Sequence, residues 1–304
     1  MSLDLVVLCA GRGERLRPLT EACPKPLLPL VGVALADRAL AACEPLMPVR
    51  RVANAHHFPE QILSWAEARH LDHVQVEPVL LDTGGAIGRM RSRGDLVSEH
   101  ILVHNGDLVH DIDLREPWAQ HVRTRADATL VVVDRPRVNT VVVREGRFSG
   151  VLGHPRATGR PEPGDLARTF SGIAFYRRAV VPARSDGPWS VKELWHDLLE
   201  QGGGIHAWEA SPECRWDDLG TSRDFVRAVR EEMTRRGIET WIDPGAQVEA
   251  SARILAGSAV ECGAFVGAGA VVEDSVLFPG AIVEEGESVR GVLRNAGGDL
   301  PVAA

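Results

Sequence analysis

Through its first two-thirds the chain alternates short apolar runs with amphipathic stretches. Leu5–Cys9, Arg51–Asn54, His73–Glu77, His100–His104, Ala128–Val133 and Ser171–Tyr176 have the length and composition of strands. Between them Ala34–Leu46, Pro59–Ala68, Trp118–Thr124 and Val191–Gln201 read as helices. This alternation predicts an α/β fold, a mostly parallel sheet with helices on both faces. Ligands of such sheets sit beyond the carboxyl ends of the strands, where Gly11 and the Asn105-Gly106-Asp107 turn fall. A further amphipathic stretch, Phe225–Arg236, stops at Gly237, a helix terminator and a domain boundary.

Beyond Gly237 the period changes. Ile242, Val248, Ile254, Val260, Val266 and Val272 recur every six residues, and Gly245, Ser251, Gly257, Gly263 and Gly269 keep the same step. A small residue follows each of the latter, at Ala246, Ala252, Ser258, Ala264 and Ala270. One aliphatic per six predicts a β-helix in which three strand-and-corner units make a triangular coil. The pattern continues one residue out of phase at Leu277, Val283 and Val289. The expected organisation is a first domain over 1–237, a hexapeptide domain over 238–295 and a frayed tail over 296–304. Residues 153–169, rich in Pro, Gly and charge, are expected to form a surface loop.

Composition narrows the function. A net charge of −8 argues against a nucleic-acid or anionic-membrane surface. Cys9, Cys23, Cys43, Cys214 and Cys262 are scattered without a C-x-x-C pair, as expected for reduced thiols, and form no zinc motif. No apolar run approaches the roughly 18 residues of a membrane span, and no signal peptide is recognisable, so a cytoplasmic location is expected.

The candidate chemistry begins where the first strand ends. Ala10-Gly11-Arg12-Gly13 lets backbone N–H groups approach a phosphate, and Arg12, Arg15, Arg17 and Lys25 surround it with positive charge. A dinucleotide turn would need a third glycine opening a helix directly after the strand. Leu16 stands there instead, and Pro18, Pro24, Pro26 and Pro29 hold off any helix until about Ala34. The segment reads as a long, proline-stiffened phosphate clamp.

Gly11-x-Gly13-x-Arg15-Leu16-x-Pro18-Leu19-Thr20, followed by Pro24-Lys25-Pro26-Leu27-Leu28-Pro29, closely resembles the signature of the sugar-1-phosphate nucleotidyltransferases. The resemblance implies a Rossmann-like domain, and the hexapeptide repeats resemble the left-handed β-helix that several members carry. It implies Mg²⁺-dependent attack of a sugar 1-phosphate on the α-phosphorus of a nucleoside triphosphate, releasing pyrophosphate. Gly11–Gly13 would then cradle the β- and γ-phosphates, Arg15 would pair with the leaving pyrophosphate, and Lys25 would sit between the two reacting phosphates. By the same resemblance Asp107 is a Mg²⁺ ligand. Trp216-Asp217-Asp218-Leu219-Gly220-Thr221 matches the motif of the second ligand, Asp218, with Asp217 facing away. Glu77 with Thr83-Gly84-Gly85 corresponds to the loop for base and ribose, and Asn105, Thr140 and the backbone of Gly172 to the sugar-phosphate site.

One departure stands out. Many relatives have Glu-Lys-Pro where this chain has Gly153-His154-Pro155, leaving His154, Arg156 or Arg168 to supply the missing charge. N-acetylmuramate-1-phosphate uridylyltransferases also lack that lysine, whereas mannose-1-phosphate guanylyltransferases more often carry the β-helix, so both branches stay open. A non-catalytic regulatory or assembly subunit of the same family is the alternative. A hexapeptide acyltransferase is disfavoured because no histidine follows His206. The β-helix is expected to mediate a homo-oligomer. His56-His57 lacks partners for a metal, Asp111 and Asp113 read as surface charge, and Trp189, Trp195 and Trp208 as packing anchors.

Overall fold

The computed structural model describes residues 1–156, 162–184 and 187–302. They form two compact units, one of Met1–Ala10 with Ala39–Trp216, the other of Gly11–Arg38 with Asp217 onward. The boundary expected at Gly237 therefore does not describe the packing. Gly11–Arg38 groups with the C-terminal residues because it is hydrogen-bonded to them, through Glu261 and Asn295.

The first unit is built on nine strands: β1 (Leu3–Leu8), β2 (Arg50–Ala55), β3 (His73–Val76), β4 (His100–Asn105), β5 (Ala128–Val133), β6 (Val141–Arg144), β7 (Arg147–Val151), β8 (Leu166–Arg177) and β9 (Ile205–Glu209). Their order in the sheet is β3-β2-β1-β4-β8-β5-β9-β7-β6. β3, β2, β1 and β4 are parallel, with Leu8 opposite Asn105. β8 then runs antiparallel to both β4 and β5, and β7 antiparallel to β9 and β6. The sheet is thus mixed, not mostly parallel. The cause is the β6–β7 hairpin, whose turn residues Glu145 and Gly146 have φ of 48° and 73°, the left-handed pair of a tight hairpin turn. β8 also begins at Leu166, inside the expected 153–169 loop, and residues 157–161 of that loop lie outside the described residues.

Helices α1 (Leu35–Cys43), α2 (Pro59–Ala68), α3 (Asp82–Arg93), α4 (Arg115–Thr124) and α5 (Val191–Glu200) follow in chain order, and α1 starts only after the short hairpin that the last proline of the signature opens. Val6, Val52 and Val103 of the parallel strands pack with Ile87 of α3, while Leu130, Tyr176 and Trp195 of α5 extend the same core. Burial of side chains this size contributes about 1.5–3 kcal/mol each. The Trp195 indole N–H donates to the Tyr176 hydroxyl at 3.0 Å, so neither buried polar tip is left unpaired.

In the second unit α6 (Ser222–Arg236) is capped by Thr221, whose hydroxyl accepts from the Asp224 amide at 3.2 Å. Short parallel strands follow. Trp241–Ile242 pairs with Ala259–Val260, Gln247–Val248 with Phe265–Val266, and Arg253–Ile254 with Val271–Val272. Every third strand thus returns to the same sheet, making a three-sided coil, and Val260, Val266, Val272, Leu277 and Val283 line its interior with no exposure. The phase slip has a local cause. Trp241 faces Ala259 eighteen residues on, but Ala259 faces Val276 only seventeen on. The tightened corner carries Asp274 at φ 49°, and its carboxylate accepts from Arg230 at 2.8 Å.

The tail expected to fray does not. Gly298–Pro301 pairs antiparallel with Val292–Asn295, and Arg294 grips Asp299 through two bonds of 2.6 and 2.7 Å. Residues 303–304 lie outside the described residues. Among the described residues no helix is long and apolar enough to cross a membrane.

Candidate active site

In the second unit, Gly11–Arg38 folds as three single 3₁₀ turns, at Glu14–Leu16, Leu19–Glu21 and Lys25–Leu27, in place of a helix. Nothing lies within 4 Å of where a Cβ on Gly11 would stand, so its backbone is open to approach. Gly13 has φ 61°, and a Cβ there would lie 2.8 Å from the Thr20 methyl and 3.2 Å from Lys25 Cβ. The Thr20 hydroxyl donates to the Gly13 carbonyl at 3.1 Å, closing the clamp on itself. Arg12 and Arg17 lie at the rim, each 3.9 Å from Glu14.

Two residues expected to act on phosphates and one expected metal ligand meet here. Arg15 Nη2 lies 3.6 Å from Asp218 Oδ2, and Lys25 Nζ donates to the Asp218 carbonyl. Lys25 is buried, whereas Arg15 is exposed and Asp218 half-buried. A Cβ on Gly220 would fall 2.5–2.7 Å from the Arg15 guanidinium, so the glycine of the Trp-Asp-Asp-Leu-Gly-Thr motif makes room for that arginine. Asp217 points elsewhere, pairing with Arg227 of α6 at 2.5 Å. Burial pushes its carboxyl above the ordinary range, against the pull of Arg227.

In the first unit, the Asn105-Gly106-Asp107 turn lies against the end of β1. The Gly106 amide donates to the Leu8 carbonyl at 2.9 Å, and a Cβ on Gly106 would be 2.9 Å from Cys9 Sγ. Burial, and then the Asp107 charge, push the Cys9 thiol far up, so it stays protonated. Two imidazoles brace this turn. The Ile112 amide donates to His110 Nδ1 at 3.1 Å, which leaves the proton on His110 Nε2 to donate to His104 Nε2 at 2.8 Å. His104 Nδ1–H then donates to the Asn105 carbonyl at 2.7 Å, so the two backbone ends fix both tautomers. Burial lowers His104 to about 3 and His110 to about 4.

Gly172, φ 84°, sits in a bulge where Ser171–Ile173 of β8 oppose Val131 of β5. A Cβ on it would lie 2.7 Å from Asn105 Nδ2, so two residues expected at the sugar phosphate do meet. Thr140 is exposed, its amide donating to the Arg168 carbonyl at 2.9 Å. Glu77 is spent inside the protein. Oε1 accepts from Asn54 at 2.8 Å and Gln75 at 3.3 Å, and Oε2 from the Leu81 amide at 3.0 Å. Asn54 and Gln75 were not anticipated, although polar residues inside otherwise apolar strands were a signal available to find them.

Thr83-Gly84-Gly85 forms the first turn of α3 instead of a loop. Its glycines admit Trp189: a Cβ on Gly84 would overlap the indole ring, and the Gly85 amide donates to the Trp189 carbonyl at 3.0 Å. The cations considered as substitutes for the missing lysine are all engaged. His154 faces Glu193 at 3.3 Å, Arg156 pairs with Glu193, Asp197 and Glu200 at 2.8–3.0 Å, and Arg168 pairs with Glu209 at 2.6 Å.

A family profile described as nucleotidyl transferase matches residues 5–141. The mannose-1-phosphate guanylyltransferase of Mycobacterium tuberculosis is 29% identical over 93% of this chain and 82% of its own length. The N-acetylmuramate alpha-1-phosphate uridylyltransferase of Neisseria meningitidis is 33% identical over 58% of this chain and 75% of its own. In fold, HddC from Yersinia pseudotuberculosis, solved with GMP-PN, superposes with a TM-score of 0.59 at 19% identity, over 75% of this chain and 99% of its own. The fold is that of a nucleotidyltransferase. Within that class the chain belongs to the sugar-1-phosphate nucleotidyltransferases, and it is an enzyme of that family.

Proposed function

We propose that this protein condenses GTP with mannose 1-phosphate, giving GDP-mannose and pyrophosphate in a Mg²⁺-dependent reaction. The meeting of Arg15, Lys25 and Asp218 on a glycine-opened backbone carries the reading. A sugar-phosphate oxygen is already an anion, so the transfer needs no base and no covalent residue. Its bond to the α-phosphorus forms as the bond to the β-phosphate oxygen breaks, and pyrophosphate departs with that oxygen. The protein's task is to align the reactants and neutralise charge.

In this reading the Gly11–Gly13 amides hold the β- and γ-phosphates, Arg15 the leaving pyrophosphate, and Lys25 the charge on the reacting phosphates. Asn105, the Gly172 bulge and Thr140 serve the sugar side, and Thr83 at the start of α3 the base and ribose. Asp107 and Asp218 are the proposed ligands of Mg²⁺, which when bound would neutralise phosphate charge. Among the described residues no cluster of three or more His, Cys, Asp or Glu could hold a metal alone. Magnesium is commonly bound by one or two carboxylates together with substrate phosphates and water.

GTP and mannose 1-phosphate are preferred because the mycobacterial relative aligns over nearly the whole chain. UTP with N-acetylmuramate 1-phosphate is the second reading, favoured by the higher identity of the neisserial relative and by the lack of a free cation at His154, Arg156 or Arg168. Assaying pyrophosphate release from four nucleoside triphosphates crossed with both sugar 1-phosphates decides: release confined to UTP would reverse the preference. We take the coil to be a left-handed β-helix and a self-association surface, exposing Ile242 and Ile282. Light scattering giving a monomer mass would end the latter idea.

A further inference from the structure

The signature loop is held at both ends by the C-terminal coil. Beyond Lys25, Pro29–Leu30 pairs with Val33–Ala34 across the two-residue turn Val31-Gly32, with φ of 55° and 80°. A left-handed pair suits such a hairpin, but valine is a costly choice for the first position, because its branched side chain disfavours that conformation. The compensation comes from Glu261, in the coil and fully buried. Its Oε1 accepts from the Val31 amide at 2.8 Å and its Oε2 from the Gly32 amide at 2.9 Å. The Trp241 indole N–H adds a third bond to Oε2 at 3.2 Å, and its ring lies where a Cβ on Gly32 would stand, 2.7 Å away. Arg38 ties the same hairpin to α6, donating to the Leu30 carbonyl at 2.6 Å and lying 3.7 Å from Glu232.

The other end of the loop is held just after Arg15. Asn295 Nδ2 donates to the Leu19 carbonyl at 2.8 Å, and a Cβ on Gly297 would fall 2.6 Å from the Pro18 carbonyl oxygen. Asn295 is itself buried, so its amide has been taken out of water to make this bond.

From these contacts we propose that the C-terminal coil is a brace for the phosphate clamp, with Glu261 and Asn295 as positioning residues that hold Arg15 and Lys25 in register. The inference rests on the clamp's role in binding phosphates. It gives the coil a part in catalysis that self-association alone would not.

The test is calorimetric titration of inorganic pyrophosphate, with MgCl₂, into the full-length protein and into Glu261→Gln, Asn295→Ala and Val266→Ala. Val266→Ala loosens the coil interior without touching the loop. The brace predicts that Glu261→Gln and Asn295→Ala each weaken pyrophosphate binding by about tenfold, with unchanged far-ultraviolet circular dichroism. Hydrogen exchange of the Val31 and Gly32 amides should quicken in Glu261→Gln. Val266→Ala should lower the melting temperature and keep the original affinity. Should Val266→Ala weaken binding as much as the other two, the coil contributes stability only and the brace is refuted. Unchanged affinity in both Glu261→Gln and Asn295→Ala would refute it equally. Failure of the unsubstituted protein to bind pyrophosphate would instead overturn the phosphate reading beneath it.

Discussion

The Arg15 guanidinium lies over the backbone of Gly220, so close that a methyl group at that position would strike it, while its Nη2 stands 3.6 Å from Asp218. Two segments two hundred residues apart are thereby matched in shape as well as charge. The arginine is exposed and the aspartate half-buried, and such surface pairs contribute about 0–1 kcal/mol to stability. Arg15→Ala should therefore shift the melting temperature little, yet lower turnover roughly 10²–10³-fold. Gly220→Ala should displace the guanidinium and lower turnover as well, with the Asp218 carboxylate untouched. Steady-state rates within twofold of wild type for both variants would contradict this role.

Asp107→Asn and Asp218→Asn preserve shape while removing a charge. Each is expected to raise the Mg²⁺ concentration for half-maximal activity and to reduce turnover by about 10²-fold or more. A magnesium titration of rate checks this. An unchanged magnesium dependence in both variants would place the metal elsewhere.

The signature was legible because its chemistry is local: prolines forbid a helix, glycines open the backbone, and Arg15 and Lys25 lie ten residues apart in one loop. The hexapeptide step revealed the coil for the same reason, and its one-residue slip marked the shortened corner. What escaped depends on pairing over distance. The β6–β7 hairpin turns on Glu-Gly, a weaker signal than Asn-Gly, and without it β5 and β8 look like parallel neighbours. Thr83-Gly84-Gly85 corresponds to a loop by the family resemblance alone, and only Trp189, a hundred residues away, explains why α3 carries two glycines there. Glu77 looked available for ribose until Asn54, Gln75 and the Leu81 amide occupied its carboxylate.

Gly84→Ala tests that packing. Helix propensity alone would favour alanine by about 1 kcal/mol. Overlap with the Trp189 ring should outweigh this and destabilise the protein by about 1–3 kcal/mol. Urea denaturation should show the loss shrinking when Trp189→Leu is combined with it, since the two sites share one space. Simple additivity would show that the ring moves aside freely.

The histidine relay predicts a pH dependence of stability. Burial lowers His104 to about 3 and His110 to about 4, from an ordinary value of 6.5. Between those values the unfolded chain binds protons that the folded chain refuses, so stability is full above about pH 6.5 and falls as the pH drops toward 4. Each histidine contributes at most about 1.4 kcal/mol per pH unit in that window. Urea denaturation at pH 7, 6 and 5 should show a shallower decline for His110→Gln than for the unsubstituted protein. Parallel declines would mean that His110 does not carry this linkage.

A chain ending at Gly237 loses Glu261, Trp241 and Asn295 together, and with them the bonds to Val31, Gly32 and Leu19. Such a truncation should lose turnover as well as any self-association. An active truncated form would show that the clamp holds its shape unaided.

The central claim is that the α-phosphorus is the point of attack, and ³¹P nuclear magnetic resonance of the complete reaction observes this directly. With GTP, mannose 1-phosphate and Mg²⁺, the account predicts sugar-diphosphate resonances growing in equal measure with free pyrophosphate, and loss of both in Arg15→Ala. Orthophosphate appearing with GDP, or no reaction with any of the paired substrates, would contradict it.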